Sequence, residues 1–394
     1  MPVYPEEIKE IASSLLDFTI RNRRYIHMNP ELSYREFNTS EFISRQLKSI
    51  GIHKIEKVAG TGILASVKGN TEKGKTIVLR SELDALPIQE ETGVEYASTS
   101  MGIMHACGHD AHSAMLLSVA RALFEIRERW NGNVYLLFQP GEELAPGGAT
   151  LVLKEGVLDR IGPDAIIAQH VLPEMKAGNT GFRAGKYMAS SDEIYIDIHG
   201  TGGHAALPGA TDQVLIGSKL VQDLKEALYS YAGDRPLVFS LGKFIAEGAT
   251  NIIPSSVHIE GTLRTFDEKL RSDLHSLLEK ICAESQCQGV SIRPEIRKGY
   301  PVLFNNKSLT DRAAEVAALI NGKESVESMD LRMSSEDFAY YSQHYPVLFY
   351  RIGVKQTGMQ VHKLHSSAFN LYEPAMETGI RTMLAIALDF LQGS

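Results

Sequence analysis

From Gly62 to Ala168 the chain alternates short apolar runs with longer stretches of helical spacing. The runs are Gly62 to Val67, Thr76 to Leu79, Asn133 to Phe138 and Ala165 to Ala168. Between them, Ala111 to Arg127 and Gly148 to Glu155 carry apolar residues three and four apart. A strand buried on both faces is a near-continuous apolar run, and parallel neighbours need a crossover element between them. The pattern therefore predicts an α/β fold with a mixed, mostly parallel sheet flanked by helices. Two helices, Glu6 to Arg23 and Glu36 to Leu47, precede it, with Asn29-Pro30 breaking the pattern between them.

After Arg183 the texture changes. Asp192 to His199 reads D-E-I-Y-I-D-I-H, the polar–apolar alternation of a half-buried antiparallel strand. Leu237 to Phe244, Ser256 to Thr265 and Val290 to Lys298 are further strands. Val214 to Tyr231 and Glu268 to Glu284 are helices. Residues 185–298 thus read as an inserted α+β unit with a four-stranded sheet and two helices. The α/β pattern then resumes with helices Ser308 to Ile320 and Glu336 to Gln343, strand Val347 to Ile352 and helix Pro374 to Leu391. The expected division is a first domain from residues 1–184 and 299–394, interrupted by a second at 185–298. A chain of 394 residues exceeds what one core of ~250–300 residues accommodates.

The formal charge of −8 and the lack of a basic cluster argue against nucleic acid as a partner. No apolar run approaches the ~20 residues of a membrane span. Met1 to Leu16 alternates charged and apolar residues, unlike a signal peptide, so a cytoplasmic location is the expectation. Cys107, Cys282 and Cys287 are too few for a disulfide framework. Cys107 is a candidate ligand or nucleophile, and the other two read as buried small hydrophobes.

In an open α/β sheet, ligands bind beyond the carboxyl ends of the strands. Thr76 to Leu79 is followed by Arg80-Ser81-Glu82-Leu83-Asp84. Asn133 to Phe138 is followed by Gln139-Pro140-Gly141-Glu142-Glu143, and Ala165 to Ala168 by Gln169-His170. Val347 to Ile352 leads to a loop with His362 and His365. Cys107, His109 and His112 precede or open the first crossover helix. Singly these are weak signals, since paired glutamates are usually a solvated face and a lone histidine is usually structural. Their convergence on one sheet edge points to a metal centre. Thiolate and imidazole suit Zn²⁺ or a similar transition ion, and with Glu143 the set is large enough for two. Two ions ~3.5–4 Å apart acidify a shared water toward a pKa of ~7, and a general base then takes its proton. One of Glu142 and Glu143 can ligate while the other acts as base. Asp84 and Asp110 are natural partners for the second ring nitrogens of His109 and His170. A catalytic thiol at Cys107 is the alternative chemistry, and His112 and His362 are alternative ligands.

Taken together, several segments are similar to one known family. They are Arg23-Arg24…His27…Pro30-Glu31-Leu32, Asp84-Ala85-Leu86-Pro87-Ile88, Met104 to His112, Phe138-Gln139-Pro140 with Glu142-Glu143, and Gly202-Gly203-His204-Ala205-Ala206. Asn251-Ile252-Ile253-Pro254, Gly261-Thr262, Arg264-Thr265-Phe266, Glu336-Asp337-Phe338 and Leu364-His365 continue the match. The chain resembles the aminoacylase and hippurate-hydrolase branch of the dinuclear metallopeptidases. The resemblance implies hydrolysis of N-acyl amino acids with two divalent ions per subunit, whether Zn²⁺, Mn²⁺ or Ni²⁺. It implies Cys107, His109, Glu143, His170 and His365 as ligands, Glu142 as general base and Asp84 as the orienting acid. It implies that residues 185–298 are a satellite domain through which two copies dimerise. His204 would help hold substrate or oxyanion, and Asn251 and Arg264 the amino-acid carboxylate. Carboxypeptidase or dipeptidase action, N-acetyl-diaminopimelate deacetylation and a non-catalytic metal-binding relative are the alternatives. The chain departs from the usual pattern at Ser81-Glu82, where Ala-Asp is usual, at Gly141 for alanine, at Gly209 for histidine and at Ser367 for proline.

Overall fold

The apolar runs pair as the alternation requires. In the computed structural model, which describes residues 3–358 and 360–392, they form an eight-stranded sheet. Its order is Ile55–Val58, Gly62–Lys68, Asn133–Gln139, Thr76–Glu82, Ala165–Lys176, Val347–Lys355, Thr180–Phe182 and Val326–Ser328. The four central strands run parallel, with Leu79 opposite both Leu136 and Ile167, and Val347 opposite Ile166. Gly62–Lys68 and Thr180–Phe182 run antiparallel to their inner neighbours. The fold class is therefore the mixed, mostly parallel α/β sheet expected.

Helices cover the sheet. Pro5–Met28 begins with a proline in its first turn, where the missing N–H has no partner to lose. It packs against His109–Glu125 and Met376–Gln392. His109–Glu125 is buried along nearly its whole length, as a helix between a sheet and a second helix layer must be. Pro5–Met28 runs five residues past Arg23. Arg23 and His27 are polar in sequence yet buried, so they mask the apolar stripe that would have marked the helix end. The strand from Ala165 continues to Lys176, because Gln169 to Leu172 keep pairing with Tyr350 to Gly353. His170 consequently lies on a strand rather than after one. The helix expected over Glu336 to Gln343 is reduced to Ala339–Ser342, and a Glu336 carboxylate oxygen caps the Phe338 N–H ahead of it.

The chain divides into two compact units: Met1–Gly185 with Phe304–Asp330 and Tyr340–Ser394, and Lys186–Leu303 with Leu331–Ala339. The second has an antiparallel sheet in the order Leu237–Ile245, Ser256–Thr265, Asp192–His199, Ser291–Lys298. Helices Gln213–Ala232 and Glu268–Glu284 pack on one face over Ile194, Ile196 and Ile198. The aspartates Asp212 and Asp267 cap these helices by accepting the N–H of Leu215 and Leu270. No helix among the described residues is long and apolar enough to cross a membrane.

Candidate metal centre

The first unit gathers its metal-capable side chains beyond the carboxyl ends of the central strands. Thr76–Glu82 delivers Asp84, which is buried. One Asp84 carboxylate oxygen accepts the Ser33 hydroxyl (2.7 Å) and the Glu143 amide N–H (2.9 Å). The Asp84 carbonyl takes His109 Nδ1–H at 2.9 Å, and its second carboxylate oxygen stands 3.3 Å from the same nitrogen. With Nδ1 held, His109 presents Nε2, 3.9 Å from Glu143 Oε1 and 4.0 Å from Glu142 Oε2.

Gly108 makes the approach of Cys107 possible. It turns the chain at φ 91° into the helix that starts at His109, and a Cβ there would lie 2.6 Å from Val171 Cγ2. Cys107 Sγ stands 3.4 Å from His170 Nε2, and His170 Nδ1 donates to the Val171 carbonyl at 2.7 Å. The loop after Val347–Lys355 returns at His365, whose backbone N–H bonds the Ala106 carbonyl at 2.8 Å. His365 sits at φ 63°, a left-handed conformation that non-glycine residues keep where surrounding contacts enforce it. Its Nε2 lies 3.3 Å from Glu143 Oε1.

Donor groups that each span no more than 4.8 Å include Cys107, His109 and His170; Cys107, Glu143 and His365; and His109, Glu142 and Glu143, with Glu82, His109 and His112 and Glu142, Glu336 and Asp337 beside them. Cys107 belongs to two of them. His109 Nε2 and Glu143 Oε1 are buried and make no hydrogen bond. Buried polar atoms of this kind are costly unless something pairs with them. A divalent cation would pair with both, and the thiolate, imidazole and carboxylate mixture suits a borderline transition ion. The electrostatics agree. Burial alone would lower the His109 pKa, but the carboxylates of Asp84, Glu82 and Glu143 push it up to about 10, so this cage favours positive charge. Burial, aided by His112 and Arg351, holds His170 far below its ordinary range, so its ring is neutral.

Other residues prove to be supports. His112 donates from Nδ1 to Glu82 (2.8 Å) and accepts the Val171 N–H at Nε2 (3.0 Å), so it has no lone pair left for a metal. Glu82 also pairs with Arg80. Asp110 pairs with neither His109 nor His170 among the hydrogen bonds described and binds Arg23 Nε (2.9 Å) and His27 Nδ1 (2.8 Å). The partner of the His170 ring is instead a backbone carbonyl. His105 is buried, and burial pushes it down to about 3. His362 belongs to none of the donor groups among the described residues. Ser33 was not foreseen, because nothing in one sequence links it to Asp84 across fifty-one positions.

In the second unit, His204 lies on the two-residue strand Gly203–His204, which pairs with Ile252–Ile253. Its Nδ1 accepts the Ala206 N–H at 3.1 Å, which leaves Nε2 as the protonated, outward nitrogen. The Asn251 carbonyl accepts the Ala205 N–H (2.9 Å), so the structure brings His204 and Asn251 together. Arg264, on Ser256–Thr265, is half-buried and donates to Ser335 Oγ at 3.2 Å.

Comparisons with known proteins agree with this architecture. The chain is 38% identical to an N-acyl-L-amino acid amidohydrolase of Geobacillus stearothermophilus over 76% of this chain and 81% of that one. It is 37% identical to an N-acetyl-L-cysteine deacetylase of Bacillus subtilis (strain 168), over 90% and 83%. Among solved structures it is similar to the Bacillus subtilis YXEP protein, a dinuclear metal binding peptidase, with TM-score 0.82, 31% identity and coverage of 96% and 99%. Residues 78–389 match the peptidase family M20/M25/M40. The chain is thus an enzyme of the amidohydrolase and peptidase class, and it belongs to peptidase family M20/M25/M40.

Proposed function

We propose that this enzyme hydrolyses the amide bond of N-acyl amino acids, releasing a carboxylic acid and the amino acid. The observation that carries the reading is the set of adjoining donor groups sharing Cys107, with Glu142 beside them. Cys107, His109, Glu143, His170 and His365 would hold two divalent ions, Zn²⁺, Mn²⁺ or Ni²⁺. When bound, such ions supply Lewis acidity to a carbonyl and lower the pKa of water toward neutrality. Glu142 takes the proton of the attacking water and passes it to the leaving nitrogen. Asp84 keeps His109 in the tautomer that leaves Nε2 available. The outward Nε2–H of His204 is a donor suited to the developing oxyanion. Asn251 and the guanidinium fork of Arg264 suit the amino-acid carboxylate. The names of the two curated relatives support an N-acyl amino acid as substrate.

The domain reading is a first domain at residues 1–184 and 299–394 and a satellite at 185–298 that closes over substrate and dimerises. Exposed Phe244 and Ile245 on the edge strand, with Val214 and Leu215 on the adjoining helix, support a second copy as its partner. Three cysteines that form no disulfide, one of them a proposed ligand, suit the reducing cytoplasm. The Cys107–His170 contact also fits a thiolate nucleophile, but a histidine held neutral by burial does not supply the imidazolium such a pair needs.

The test is a panel of N-acyl amino acids and short peptides assayed with each metal after chelation. The expected result is metal-dependent release of amino acid from acylated substrates. Preferential cleavage of peptides would favour a carboxypeptidase. Protein that purifies without divalent metal, with an activity indifferent to chelation, would remove the reading.

A further inference from the structure

The turn Glu31-Leu32-Ser33-Tyr34-Arg35-Glu36 joins the first two helices and belongs to none of the donor groups. Its groups nevertheless reach the segments that carry the centre. The Glu31 carbonyl accepts the Ala85 N–H at 2.8 Å, and Ser33 holds Asp84 as described. Glu36 is buried and accepts the Gly141 N–H at 2.8 Å and the Thr61 hydroxyl. The Tyr34 hydroxyl donates to the Leu144 carbonyl (2.7 Å) and accepts the Gly147 N–H (3.1 Å). The loop 141–147 bears Glu142 and Glu143. Its first residue is thus held by Glu36, its middle by Asp84 at the Glu143 amide, and its far end by Tyr34.

Two backbone facts sharpen the part played by Tyr34. It sits at φ 64°, a left-handed conformation that an L-residue keeps where neighbours over-determine it. Gly141 is also left-handed, at φ 62°, and any Cβ placed there would collide with the Tyr34 ring. The ring fills the volume that a side chain at position 141 would need.

We propose that Tyr34 is a positioning residue for hydrolysis: its ring and hydroxyl set the place of the Glu142–Glu143 pair, and Gly141 is the matching relief. This rests on the reading that these two glutamates work at the centre. The hydroxyl bonds a surface loop and not the core, so losing it should leave global stability near wild type while loosening the loop. The loosening falls on the base and on one ligand together.

The experiment compares wild type with Tyr34→Phe as full-length protein. The readouts are Zn²⁺ and Mn²⁺ affinity by titration of metal-free protein, hydrogen exchange across residues 141–148 without metal, and kcat and KM for the best substrate of the panel. Tyr34→Phe should exchange faster in that loop, bind metal more weakly and lose about 10- to 100-fold in kcat with KM little changed, the size expected from small misplacement of reacting groups. Thermal unfolding of the metal-free proteins should coincide. Gly141→Ala should cost less activity and metal affinity in a Tyr34→Ser background than in wild type. Equal losses in both backgrounds overturn the steric match. A Tyr34→Phe protein with wild-type loop exchange, metal affinity and kcat overturns the positioning role alone. A wild-type protein that takes up no divalent ion overturns the proposed function and this proposal with it.

Discussion

Glu142 and Glu143 are neighbours in sequence that the fold uses differently. Glu143 has its amide fixed on Asp84 and shares donor groups with Cys107 and His365 as well as with His109, whereas Glu142 shares one with His109 and Glu143 and another with Glu336 and Asp337. Glu142→Gln should therefore keep its metal and lose about 10²- to 10⁴-fold in turnover, the usual worth of a general base. Glu143→Gln should lose metal as well. Elemental analysis beside a kcat measurement separates the two, and an active Glu142→Gln protein removes the assignment. A second residue carries a pH dependence. Burial would raise the Glu90 carboxyl, but hydrogen bonds from His27, the Ser98 amide and the Thr92 hydroxyl bring it down from 4.5 to about 2. A carboxylate depressed on folding stabilises above its unfolded pKa, and that stability is lost as pH falls through the folded one. Metal-free wild type should lose melting temperature between about pH 4.5 and 2 more steeply than Glu90→Gln, and parallel curves would contradict this.

At the level of elements, the helix that starts at His109 is set against the strand Ala165–Lys176 through one turn residue. Gly108→Ala adds a methyl against Val171 at φ 91°, and it should destabilise the fold by roughly 1–3 kcal/mol. A shift in denaturant midpoint at unchanged slope would show it. The elements themselves were largely legible. Apolar runs gave the central strands, and strict alternation in Asp192–His199 gave a strand observed with the same ends. Cys107 and His109 stand out in the sequence because they precede or open a crossover helix, and Glu143 because it follows a strand. What stayed hidden is what sequence encodes poorly. The end of the Pro5–Met28 helix is masked by buried ion pairs. The partner of His170 is a backbone carbonyl, which has no residue type to read. Asp110 reads as support for His109 or His170 from its place in the sequence alone, and its partners are Arg23 and His27. The Tyr34 clamp joins positions 110 residues apart.

For the whole molecule, the proposed dimer makes a prediction of its own. If His204 serves the partner's centre, His204→Ala and His109→Ala chains should partly restore activity when assembled together, since one of the two sites then regains both residues. No recovery in verified mixed dimers would place His204 in its own subunit's chemistry or outside it. The change in sequence texture near Arg183 lies close to Gly185, where the first stretch of the larger unit ends, while Leu331–Ala339, which falls in the second unit, is too short to carry a periodicity. One local feature has a kinetic meaning for the assembled centre. His109 and His170 are sealed in the interior, whereas the His365 side chain is 52% exposed on a loop docked through its own backbone N–H. The proposed ions therefore differ in residence time. A chelator should strip the one beside His365 in a fast phase and the one between His109 and His170 in a slow one, so the enzyme falls silent while still half loaded.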